Sequence, residues 1–153
     1  MWELTDDCGH AASVKACRLV GPRMNDAPAK PLLNVRVLVA EDNPLVAFDI
    51  MAGLLKAGAH IMGPALSVER AIELAQLEAA DCAVLDVKLR DGLVFPAAQI
   101  LKEKEAGIGF YTGHINPESL KQQWPEAEVL IKPVPMQTLV RAVTAACKQQ
   151  TAR

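Results

Sequence analysis

The sequence is poor in aromatic residues: 153 positions carry one Tyr, two Trp and three Phe, 4% in all. Its core must therefore be aliphatic, and it offers little of the stacking surface that single-stranded nucleic acids need. A basic surplus is also missing. Sixteen Lys and Arg stand against 18 Asp and Glu, a formal charge of −2, so nothing is left over to neutralise a phosphate backbone and no nucleic-acid partner is expected. The cysteines, Cys8, Cys17, Cys82 and Cys147, show no C-x-x-C spacing and have no His at metal-ligand intervals. That argues against a zinc site and a disulfide scaffold, and Cys82 and Cys147 read as small core or surface residues. No apolar run reaches 18 residues, and Glu3, Asp6 and Asp7 occupy the stretch where a signal peptide needs basic residues. A soluble, reduced, cytoplasmic protein with no membrane partner is expected.

What remains is globular in composition, 51% hydrophobic and 22% charged, at a length that suits one domain with a tail. Residues 1–33 stand apart from the rest. They hold Gly21, Pro22, Asn25, Pro28 and Pro31, and four basic residues balance four acidic ones. This is read as a flexible extension, with a short helix over Ala11–Val20 as its one candidate element. Met24 is a second candidate start, so peptide mapping is needed to place Met1–Arg23 in the native protein. Residues 34–150 read as the folded domain and 151–153 as a tail.

From Asn34 onward two kinds of segment alternate. Val35–Ala40 is a β-branched run ending at Glu41-Asp42, and Asn43-Pro44 then opens a helix, Asn as cap and Pro in the first turn. Leu45, Phe48, Met51 and Leu55 give that helix an apolar stripe up to Gly58. Ala59–Met62 reads as a second strand closed by Gly63-Pro64. Ser67 caps a second helix, Val68–Leu77, with Ala71, Leu74 and Ala75 inward. Cys82–Val87 is the most apolar strand and carries Asp86. Pro96–Glu105 reads as a third helix, Ile108–Tyr111 as a fourth strand before Thr112-Gly113, Val129–Ile131 as a fifth before Lys132-Pro133, and Met136–Gln149 as the last helix. Apolar strands alternating with amphipathic helices predict an α/β fold with a doubly wound parallel sheet covered on both faces.

In such a sheet the site lies beyond the carboxyl ends of the strands. Those ends deliver Glu41 and Asp42, Asp86, Thr112 and Lys132. Three gathered carboxylates raise one another's pKa unless a cation neutralises them, and hard oxygen ligands suit Mg²⁺. Any one of these residues alone reads as a turn, cap or solvated side chain; five at successive strand ends are harder to dismiss.

This constellation, in the motifs VLVAEDNP, AVLDVKLRDG, FYTG and LIKPV, resembles the receiver domain of two-component response regulators over about Asn34–Gln150. The resemblance implies a flavodoxin-like sheet of order 2-1-3-4-5 and a signalling domain, not an enzyme beyond self-catalysed phosphorylation and dephosphorylation. It implies that Asp86 accepts a phosphoryl group from a histidine kinase or phosphotransfer protein. Asp42, Asp86 and the Lys88 backbone carbonyl would ligate Mg²⁺, and Glu41 would act through water. Lys132 would pair with phosphoryl oxygens, Thr112 would hydrogen-bond them, and the Lys132-Pro133 bond would be cis. Output would pass through protein–protein contact or phosphorelay, on a face built from the fourth-helix region, the fifth strand and Pro135–Lys148, with a downstream protein as partner.

Two departures from the family pattern stand out. Val129 occupies a place usually held by an aromatic residue that turns inward on activation. Pro117 and Pro125 leave only Glu118–Trp124 for a shortened fourth helix. FYTGH beside that short helix resembles an F-A-T-G-type sub-class of single-domain receivers partnered by kinases of the HWE or related type, although Tyr111 replaces the alanine of that motif. Rival readings are a non-phosphorylated pseudo-receiver, a haloacid-dehalogenase-type phosphatase and a flavin-binding domain. Lys88 stands where the phosphatase needs a general-acid Asp, and acidic EDNP stands where the flavin domain needs a phosphate loop.

Overall fold

The computed structural model describes residues 29–151; the expectations for the extension before Ala29, its helix over Ala11–Val20 included, lie outside the described residues. Strands β1 (Arg36–Ala40), β2 (His60–Ala65), β3 (Cys82–Leu85), β6 (Gly107–Thr112) and β7 (Glu128–Ile131) form one sheet. Their order is β2-β1-β3-β6-β7, with every pair parallel. The expected order 2-1-3-4-5 is therefore present, with β6 and β7 as fourth and fifth strands. A short antiparallel hairpin, β4 (Lys88–Leu89) with β5 (Gly92–Leu93), comes after β3 and is an addition to the expected elements. The helices are α1 (Pro44–Lys56), α2 (Val68–Leu77), α3 (Phe95–Glu103), α4 (Pro117–Gln123) and α5 (Met136–Thr151).

Strand alternation sorts the core into two layers. Val37, Val39, Cys82 and Val84 pack with Ile50 and Leu54 of α1 and Leu139 and Val143 of α5. Leu38, Ala83, Leu85 and Phe110 pack with Ala71 and Leu74 of α2, Ala97 and Leu101 of α3 and Leu120 of α4. Both faces are covered, as apolar parallel strands require. Phe95, Phe110 and Trp124 form an aromatic cluster in the second layer, Phe110 and Trp124 edge to face at 5.5 Å. Few as the aromatics are, three of them meet here.

Local chemistry explains the helix ends. Asn43 Oδ1 accepts from the Leu45 and Val46 N–H groups at 3.0 and 3.4 Å, with Pro44 in the first turn, and the chain leaves α1 through Gly58 at φ 99°. Helix α2 is held from outside itself as well. Ser67 Oγ accepts from Arg70 N–H at 3.1 Å, while Asp91, at the tip of the hairpin, accepts from Val68 and Glu69 N–H at 2.6 and 3.2 Å. At the other end Lys104 Nζ donates to the Ala75 and Gln76 carbonyls. The short α4 is two turns long, started by Asn116 and Pro117 and ended before Pro125, as the prolines dictate.

Three expectations are corrected. The stripe expected to bury α1 does not do so: Leu45, Phe48 and Leu55 are 78%, 67% and 55% exposed, and Ala47, Ile50 and Leu54 face the sheet instead. Strand β2 runs on through Gly63-Pro64, a cis bond like Lys132-Pro133, to Ala65. Cys82 of β3 and Cys147 of α5 are paired as a disulfide across 65 residues, Cα atoms 5.6 Å apart, a partnership that local spacing has no means of showing.

Helix α5 lies unusually close to β6. A Cβ built at Gly107 would overlap the Ala146 carbonyl, so a glycine is required by close approach alone. At Gly109 the nearest atom to such a Cβ is 3.6 Å away, an ordinary contact. Tyr111 ends this row of small residues, so the helix sits tight at one end of β6 and against a large ring at the other.

Candidate functional site

Backbone hydrogen bonds continue the sheet one residue past each strand and thereby place the site. Glu41 N–H donates to the Ala65 carbonyl, Asp86 N–H to Ala40, and Lys132 N–H to Thr112, at 2.9, 2.9 and 3.0 Å. The side chains just beyond β1, β3 and β7 are therefore delivered by ladder geometry and not by loop conformation. Glu41, Asp42 and Asp86 each bring a carboxylate oxygen to within 4.8 Å of the others. Glu41 and Asp86 are buried, and Asp42 is half-buried.

Lys132 Nζ bridges two of the three carboxylates. It donates to Glu41 Oε2 at 2.5 Å and to Asp86 Oδ2 at 2.8 Å. Burial alone would lower the Lys132 pKa, but the hydrogen bonds to Asp86 and Glu41 outweigh it and hold the group above 10.5, fully charged near neutrality. Burial is the largest influence on Glu41 and lifts its pKa above 4.5, against hydrogen bonds from Lys132 and Asn43 N–H; the Asp86 charge lifts it further. Asn43 N–H donates to Glu41 Oε1, so both Glu41 oxygens are engaged by the protein.

Asp86 is different. Its Oδ1 is buried and, among the described residues, is the buried side-chain oxygen with no hydrogen-bond partner. A buried carboxylate oxygen without a donor is costly unless something outside the chain satisfies it. Together with the half-buried Asp42, this donor set fits a hard divalent cation that takes oxygen ligands and keeps some water, as Mg²⁺ does. Zinc would find no thiolate or imidazole here.

Other residues of the sequence motifs occupy distinct places, not all of them at this centre. Thr112 is fully buried at the end of β6, and its Oγ1 accepts from His114 N–H at 3.4 Å. Lys88 sits in the hairpin next to the site with its side chain exposed. His114 is exposed and Trp124 buried, in the aromatic cluster and 5.5 Å beneath Lys102 Nζ. One participant escapes sequence reasoning: Tyr111, whose ring lies 5.4 Å from Lys132 Nζ and whose hydroxyl accepts from Val134 N–H at 3.4 Å. A signal is present, since this is the chain's one tyrosine and it stands next to a site residue. A groove of about 300 Å³, lined by Lys102, Trp124 and Ala127 among others, lies at the amino ends of β6 and β7, away from the carboxylates.

No family model matches the chain. It is 30% identical over 129 residues to the transcriptional regulatory protein PdtaR of Mycobacterium tuberculosis, a match that covers 82% of this chain and 61% of that protein's length. A response regulator receiver protein from Sinorhizobium medicae superposes with a TM-score of 0.70 at 24% identity, covering 76% of this chain and 97% of its own. SdrG from Sphingomonas melonis superposes with a TM-score of 0.63 at 28% identity, again covering 76% and 97%. Fold, strand-end residues and relatives agree: the chain has the fold of response-regulator receiver domains and is similar to response regulators in sequence.

Proposed function

We propose that the protein is a cytoplasmic phosphoacceptor that takes a phosphoryl group onto Asp86 with Mg²⁺ bound. The observation that carries this reading is the buried Asp86 with one oxygen held by Lys132 and the other unpartnered. In the transfer a carboxylate oxygen of Asp86 bonds to phosphorus while the phosphorus–nitrogen bond of a phosphohistidine breaks. The imidazole nitrogen keeps the electron pair. Such transfer needs alignment and positive charge around the moving oxygens more than covalent help. Asp42, Asp86 and the Lys88 carbonyl would hold the ion, with Glu41 acting through water, and the ion would supply charge neutralisation. Lys132 would add the second positive charge, and the Thr112 hydroxyl would hydrogen-bond the new acceptor oxygens.

The test is intact-mass analysis with acetyl phosphate. Mg²⁺-dependent gain of one phosphoryl group, abolished in Asp86→Asn, is expected; no adduct on the wild type with several donors would leave the chain a non-phosphorylated interaction module.

A kinase or phosphotransfer protein must land beside this site. Leu45 and Phe48 extend an exposed apolar strip directly from Asn43-Pro44 at its rim, and exposed apolar patches of this kind favour protein contact. In the proposed function α1 is therefore the donor-facing surface, and the α4–β7–α5 face remains for a downstream partner. Phe48→Glu should slow transfer from a protein donor at least about tenfold, a hot-spot effect, while leaving acetyl phosphate labelling unchanged. Equal slowing with both donors would remove α1 from this role.

A further inference from the structure

We infer that Tyr111 is a positioning residue that aims Lys132 at the carboxylates and ties it to the loop leading into α5. On the α1- and α5-facing side of β6 the residues are Gly107, Gly109 and Tyr111, so Tyr111 is the one side chain that this strand contributes there. It touches the chain on both sides of Pro133. Its ring faces the Lys132 ammonium at 5.4 Å, within the range of a cation–π contact, and its hydroxyl accepts from Val134 N–H.

A lysine side chain has four rotatable bonds and a compact charge, so two acceptors on one side do not by themselves fix its path. The ring supplies a restraint from another direction. When the oxygens around Asp86 change, Lys132 must readjust against a ring whose other end holds the loop backbone at Val134. Movement of the ammonium is thus transmitted toward Met136 and α5. Val129, the partly buried neighbour of Phe110 across β6 and β7, has no ring with which to do this.

This assignment rests on the proposed role of Lys132, and a phosphate-free measurement keeps the two separable. Tyr111→Phe and the same position carrying pentafluorophenylalanine have nearly the same shape but opposite ring electrostatics. In metal-free protein the Lys132 side-chain NMR resonances should match wild type with Tyr111→Phe and move, with broadening, in the fluorinated protein. The acetyl phosphate labelling rate should stay within about twofold for Tyr111→Phe and fall about threefold to tenfold for the fluorinated ring. That difference should vanish in a Lys132→Met background. Val134 amide exchange should quicken in Tyr111→Phe, which lacks the hydroxyl. Identical Lys132 resonances and rates for the two rings, or a rate difference that survives Lys132→Met, would reduce Tyr111 to a space-filler. Unchanged Val134 exchange would overturn the loop tether. A wild type that accepts no phosphoryl group would instead defeat the phosphoacceptor reading, with the resonances still reporting on Tyr111.

Discussion

Lys132→Met should destabilise the metal-free protein by about 3 kcal/mol at mildly alkaline pH, the lower end of what breaking a buried ion pair costs. The lower end applies because Lys132 is 23% exposed, whereas the Glu41 side chain is 2% exposed and the Asp86 side chain 5%. Methionine keeps most of the stem's volume, so the loss reports charge. The deficit should depend on pH in a defined direction. The folded Glu41 pKa lies above 4.5, raised first by burial. A group raised in that way contributes stability that is fully present below 4.5 and lost as pH climbs through its folded pKa. Removing Lys132 takes away the main counterweight to burial and raises that pKa further. The variant's deficit should therefore be small in acid and widen as pH rises and Glu41 has to ionise without a partner. Millimolar Mg²⁺ should recover part of it, since a cation that binds the folded state stabilises by mass action. Urea unfolding of both proteins as a function of pH is the measurement; a deficit that does not vary with pH would mean that Lys132 supports the fold through packing alone.

The second large effect concerns packing. Gly107→Val should cost about 3 kcal/mol, the upper end for overpacking, and a substantial share of the ~5–15 kcal/mol typical of a domain. The obstacle is the Ala146 carbonyl, a backbone group unable to rotate aside, so α5 would have to lift from β6. Gly109→Ala is the control. Its new methyl group meets the Ala83 carbonyl at 3.6 Å, an ordinary contact, so its effect should stay below about 1 kcal/mol. Denaturant midpoints for the two variants should differ clearly, and equal midpoints would contradict the close approach of α5.

Much of this architecture is legible in the sequence because local patterns and strand-end chemistry coincide. The apolar runs of β1, β3 and β6 could not face water on either side, and Asn43-Pro44 and Ser67 mark helix starts whose capping bonds are present. The α1 stripe misleads because apolar residues occupy more than one side of that helix. Periodicity alone cannot decide whether Leu45 and Phe48 or Ile50 and Leu54 meet the sheet. The hairpin is too short to carry a period, though Asp91-Gly92 is a turn signal. Glu41, Asp42, Asp86 and Lys132 can be found because a parallel sheet gathers at one edge the residues that succeed its strands. The division of labour among them is not legible. That Lys132 takes Glu41 as well as Asp86, leaving one Asp86 oxygen unpartnered, depends on distances that no spacing encodes. The Cys82–Cys147 pair and the Tyr111–Val134 bond are likewise contacts across the fold.

The hairpin beside Asp86 is moored by Asp91, whose pKa is lowered below 3.8, chiefly by the Val68 N–H at the start of α2. A carboxylate depressed in this way contributes stability above 3.8 that is lost only as pH falls through its lowered value. Acidification therefore discharges Glu41 first and slackens the mooring last. Falling pH would thus alter the charge of the pocket while the ribbon bearing Lys88 stays berthed.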